Sequence, residues 1–111
     1  MAYDEDLADR IREMIGSLTG IEEKKMFGGL AFLIGGNMSV SASGKGGLMV
    51  RVDPDDAEGL IDDTHVAPMV MRGREMLGWL RVDMEAVESD RELRKWVDRG
   101  VAYAKTLPPK R

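Results

Sequence analysis

The sequence predicts a two-layer α+β fold, an antiparallel sheet carrying helices on one face. Three observations point there. Apolar residues recur at the helical period near both ends of the chain and at period two through its middle. The links between the middle strands are too short for a parallel crossover, which needs a dozen residues or more. The element order, α-β-β-β-β-α-β-β-α, contains no repeat and no long linker, and two packed layers are its natural solution.

Each element has its own signature. Leu7, Ile11, Met14, Ile15 and Leu18 form one apolar stripe on a first helix from about Asp4 to Gly16, which Gly16 and Gly20 end. The period then changes. Ile21 to Phe27 and Leu30 to Ile34 read as strands, the second so apolar that it belongs in the middle of its sheet. Gly35-Gly36-Asn37 supplies the positive-φ residues of a hairpin turn. Met38, Val40 and Ala42 alternate with Ser39, Ser41 and Ser43, the pattern of a strand with one buried and one wet face, and after Gly44-Lys45-Gly46-Gly47 the buried face continues through Leu48, Val50 and Val52.

Asp53-Pro54-Asp55-Asp56 starts a short helix, with Asp53 as cap, Pro54 preset for the first turn and the acids favoured by the helix dipole. Its stripe is Ala57, Leu60 and Ile61. Met69 to Met71 and Met76 to Val82 then frame Arg72-Gly73-Arg74-Glu75 as a second hairpin. Ser89-Asp90-Arg91-Glu92 has capping-box spacing, and Leu93, Trp96, Val97, Val101 and Ala104 make the last amphipathic helix, stopped by Pro108-Pro109. Leu7, Ile11, Phe32, Leu33, Val50, Trp96 and Val97 are expected in the core.

A chain of 111 residues is sized for one domain, residues 1–111, large enough to bury a core without staples. Hydrophobic residues at 43% and charged ones at 32% are an ordinary soluble balance. Cysteine is absent, which excludes disulfides, a thiol nucleophile and Cys-ligated zinc. The N-terminus is acidic where a signal peptide is basic, and no apolar run approaches the ~20 residues of a membrane span, so the expected compartment is the cytoplasm, with no membrane partner. Net charge is -4, unevenly spread: residues 53 to 63 hold six acids and no base, and residues 91 to 111 hold seven bases against Glu92 and Asp98. Such polarity orients a partner or a second subunit.

Chemistry-bearing motifs are few. The single His65, in a loop before Pro68, excludes a two-histidine metal site and reads as a solvated residue without a role. The acids from Asp53 to Asp63 lack the Asp-x-Asp-x-Asp-Gly order of a calcium loop. The glycine clusters lie between strands instead of opening into a helix, so they read as turns and bulges and not as a phosphate cradle. Gly28-Gly29 relieves crowding where one strand bends into the next. No Gly-x-Ser-x-Gly elbow accompanies the serines. No catalytic residue, metal or cofactor is therefore expected. Nine methionines suit an adaptable groove or dimer face, although Met14, Met26, Met38 and Met49 sit where a core needs filling, the reading favoured here. Arg72 and Arg74 at a hairpin tip, with Trp79 in the returning strand, form the one basic-plus-aromatic combination that could stack on a base or grip an acidic partner. The plainer alternative is a polar tip beside a core tryptophan, and for the bases from Arg91 to Lys105 it is the wet face of a helix.

The stretch Met26-Phe27-Gly28-Gly29, with Asn37-Met38, Gly47-Leu48, Val52-Asp53 and Gly78-Trp79, resembles the N-terminal domain of the bacterial TfoX/Sxy-type competence regulators, from about Leu7 to Ala104. That family often has Tyr where Trp79 stands. The resemblance implies a curved antiparallel sheet with a fold like that of secretion chaperones. It also implies a role in regulation, since the full-length relatives act with a cyclic-AMP-responsive transcription activator and carry a second helical domain; this chain reads as a single-domain version. The matching residues are structural glycines and core positions. A non-enzymatic regulator that binds a protein, transcription machinery included, is thus the favoured expectation, with self-association through an exposed sheet face or edge compatible with it. The alternative is a nucleic-acid module using Arg72, Arg74 and the basic last helix, and a small-ligand binder or enzyme ranks third.

Overall fold

The structure is a computed structural model that describes residues 3–16, 20–26, 28–44, 46–62, 64–71 and 73–108. Leu18, Phe27, Lys45, Asp63, Arg72, Pro109, Lys110 and Arg111, which entered the sequence reading, lie outside the described residues.

Helix α1 spans Glu5–Ile15, strands β1 to β4 span Ile21–Met26, Gly29–Ile34, Asn37–Ala42 and Leu48–Arg51, α2 spans Pro54–Leu60, β5 and β6 span Val66–Met71 and Arg74–Val82, and α3 spans Asp90–Thr106. The predicted order holds throughout. The cap residues act as their side chains dictate: the carboxylates of Asp4 and Asp53 accept from the amides of Leu7 and Asp55, and Ser89 accepts from the amide of Glu92. A short 3-10 helix, Met84–Val87, capped by Asp83, was not anticipated. The second hairpin is tighter than predicted, because Arg74 and Glu75 stay in the ladder opposite Met71 and Val70.

All six strands form one antiparallel sheet in the order β1-β2-β3-β4-β6-β5. Neighbours in sequence are neighbours in space as far as β4; α2 then carries the chain outward so that β6 returns beside β4 and β5 becomes an edge. Strand β2 lies one place in from the other edge and is buried along its whole length. The helices occupy one face: α3 lies across β2, β3 and β4 and packs on α1, and α2 covers β6. Between the layers lie Leu7, Ile11, Phe32, Val50, Trp96 and Val97, buried as expected, together with Leu93; Leu33 is buried too, but on the opposite face of the sheet. At Gly100, α3 comes so close to β3 that any Cβ would strike the Ser39 carbonyl and approach Val40 Cγ1 to 2.8 Å.

Polar side chains clamp the layers together. Arg10 Nη2 donates to the carbonyls of Val87 (2.9 Å) and Glu88 (3.0 Å), and its Nε to Asp90 at 3.0 Å, pinning α1 to the entrance of α3. Arg12 grips Glu23 of β1 through two bonds of 2.7 Å, which holds that carboxyl below its usual range.

Strand β3 corrects two expectations. Ser39 and Ser41 are buried rather than wet. Phe32 pairs with Val40 but Leu33 pairs with Met38, so Ser39 is an extra residue in β3, a bulge stabilised by its hydroxyl donating to the Phe32 carbonyl at 2.8 Å. Beyond the bulge the alternation reverses. Met38 accordingly faces away from the helices and from Val40 and Ala42, with which it was expected to pack.

Candidate partner-binding face

A second, smaller apolar cluster occupies the sheet face opposite the helices. Ala31, Leu33, Met38 and Met49 are buried there, with Met26, Met69 and Trp79 partly exposed around them. They enclose a concavity of about 380 Å³, lined also by Met76, Gly36, Lys24 and Arg51. Each of the six strands contributes at least one residue to it. Five of the nine methionines converge here, three of them (Met26, Met38 and Met49) among the four assigned above to core filling; Met14 packs against the main core.

Alternation alone does not assemble this face; two register breaks do. The Ser39 bulge brings Met38 to it. In the other break β5 pairs Pro68 with Leu80 but Met69 with Met76, which loops 77 to 79 out of the β5 ladder. Gly78 makes the bend possible with φ at +82°, and its carbonyl accepts from the amide of Val52 at 2.8 Å. A side chain there would also run into the Val52 carbonyl and the Pro54 ring. Met76 and Trp79, three residues apart and so on opposite faces of a regular strand, both reach the concavity as a result. The sequence signal for these breaks was faint: one glycine in β6, one proline in β5 and nothing at Ser39.

Trp79 is half-buried, and its ring is covered by Arg51, whose guanidinium carbon stands 5.0 Å from the ring centroid and 5.7 Å from that of Tyr103. Cation–π stacking holds this charge at the edge of the apolar floor without a carboxylate partner among the described residues. The basic partner of Trp79 is thus Arg51, which the sequence reading passed over in favour of the hairpin tip. Arg74 is exposed on β6, and Arg72 lies outside the described residues. The bases of α3 stand on the opposite layer, where Lys95 pairs with Glu92 at 3.4 Å and Arg99 stacks on Trp96 at 4.7 Å.

The glycines serve the frame. Gly28 has φ at +76°, a side chain on Gly29 would collide with the Ala42 carbonyl, and one on Gly47 with the Val82 carbonyl. His65 has a partner that the sequence did not reveal: its Nδ1 lies 2.9 Å from the Asp83 carboxylate, whose hydrogen bond raises the imidazole pKa. The pair sits at the end of β5, where the Asp62 carboxylate, held low by bonds from the amides of Val66, His65 and Thr64, closes the turn. Among the described residues no three His, Cys, Asp or Glu side chains group as metal ligands would, and no helix is long and apolar enough to cross a membrane.

No curated protein and no solved structure matches this chain. A family model does, that of the TfoX N-terminal domain, over residues 13–104. The match begins inside α1 and ends inside α3, enclosing all six strands and both register breaks, and by that extent the chain belongs to the TfoX N-terminal domain family.

Proposed function

We propose that this domain is a non-enzymatic regulatory module of the cytoplasm that works by docking another protein on the concave face of its sheet. One observation carries the reading: five methionines, Leu33 and Trp79 line a partly open apolar hollow on the face that no helix covers. Met76 is 37% exposed at its border, a position that hydration disfavours unless a partner removes it from water. Unbranched, polarisable methionine side chains repack around different shapes, a property suited to recognising a protein surface. Membership in a family of competence regulators supports a regulatory role.

The test is affinity capture from the source cell with three proteins, the wild type, Met76→Glu, and Arg94→Ala with Lys105→Ala, followed by mass spectrometry and nucleic-acid staining. The face reading expects a protein recovered by the wild type and the α3 variant and lost with Met76→Glu, at unchanged melting temperature. Recovery of nucleic acid that salt removes and the α3 variant loses would replace it with the nucleic-acid reading.

A further inference from the structure

We infer that the occupant of the concave face is an acidic amphipathic helix, its apolar side chains seated among the methionines and its carboxylates meeting the rim. This rests on the partner-binding reading of that face. Charge is the first ground. The chain carries -4 overall, yet bases gather here: Lys24 and Arg51 line the hollow, Arg81 stands between Met49 and Ala67 in the register, and Arg74 precedes Met76 by one alternation of β6. None of the four has a carboxylate partner among the described residues. Among the described acids, Glu22 shares their face opposite Leu33, and Asp83, already paired with His65, follows Arg81 by one alternation. A partner bearing carboxylates at the border of an apolar stripe complements this surface and a basic one is repelled.

The sheet edges supply the second ground, because they discourage the other common way of binding a peptide. Strand β1 presents Glu22, Glu23, Lys24 and Lys25 in a row, and β5 contains Pro68, which has no amide to donate. Strand addition is poorly served at both edges, whereas a helix laid across the face needs only the apolar floor and the rim. A second copy of this chain is the third consideration. A two-fold axis through the face would bring the basic rim of one molecule against that of the other, a like-charge contact that disfavours the dimer.

Selection of a displayed library of randomised helical peptides on the intact protein tests this. The expected winners carry net negative charge with apolar residues at i, i+3 or i+4 and i+7. A winner should bind on the order of tenfold more weakly to Lys24→Glu with Arg74→Glu, and more weakly again as salt rises. Both residues are exposed, so the double variant keeps its fold, which its melting temperature verifies. Winners of neutral or basic charge that Met76→Glu still abolishes would overturn the acidic-helix assignment and leave the docking face standing. Winners indifferent to Met76→Glu would overturn both. Self-association of the free protein that Met76→Glu disrupts would give the face to a second copy and refute the helix.

Discussion

Trp96 and Trp79 show how two residues of one type acquire different duties. Trp96 lies in the layer between α3 and the sheet and is 7% exposed, with Arg99 stacked over its outer surface. Truncating it empties a space the surrounding core cannot refill, so Trp96→Ala should destabilise the fold by roughly 3–5 kcal/mol in a urea unfolding titration. Trp79→Ala should cost clearly less, since its ring is only partly buried, and should instead weaken partner capture.

His65 offers a second test at this scale, with a defined sign. Its folded pKa is raised by the hydrogen bond to Asp83, so the interaction contributes fully below the unfolded value, about 6.5, and is lost as pH rises through the folded value. Melting temperature should therefore fall more between about pH 6 and pH 8 in the wild type than in His65→Gln. Identical pH profiles would remove the pair from the stability of the β5 end. This pairing was invisible in the sequence, where His65 and Asp83 are separated by a whole hairpin.

Among the elements, what could be read beforehand is what local chemistry controls. Helix caps, the Gly35-Gly36 turn and the switch of period from helix to strand need only a few adjacent residues, and each was found where it was placed. The Ser39 bulge was missed because it depends on the partner strand: Ser39 is held by the carbonyl of Phe32, which no pattern within β3 reveals. The Gly28-Gly29 pair was legible as a strained bend, and the two residues act for different reasons. Gly28→Val should cost roughly 1–3 kcal/mol through its positive φ. Gly29→Val should cost at least as much, because its Cβ meets the Ala42 backbone of β3 and a strand carbonyl cannot move aside. Wild-type stability in both variants, measured by thermal unfolding, would refute the bend.

At the level of the whole molecule, two apolar clusters share one sheet, and only one of them has a layer over it. The helix-covered cluster followed from periodicity, and the residues named for it are buried. The uncovered one did not, since its residues come from all six strands and the two register breaks that gather them leave almost no trace in the sequence. Its composition was visible in the count of methionines, but their location was not: Met38 was placed with Val40 and Ala42 and lies on the opposite face, while Met38 and Met49 are buried, as core filling requires. The family resemblance was legible over nearly the same span that the family model covers, because it rests on glycines that the frame requires.

The central claim, that the uncovered face is the working surface, is tested most directly by methyl NMR of the methionines while the captured partner is titrated in. Met26, Met38, Met49, Met69 and Met76 surround the hollow, whereas Met14 and Met84 pack against the helix-side core. The account predicts that the first five methyl resonances shift or broaden on binding and that Met14 and Met84 stay in place. Shifts confined to Met14 and Met84, with the five unmoved at saturation, would contradict it.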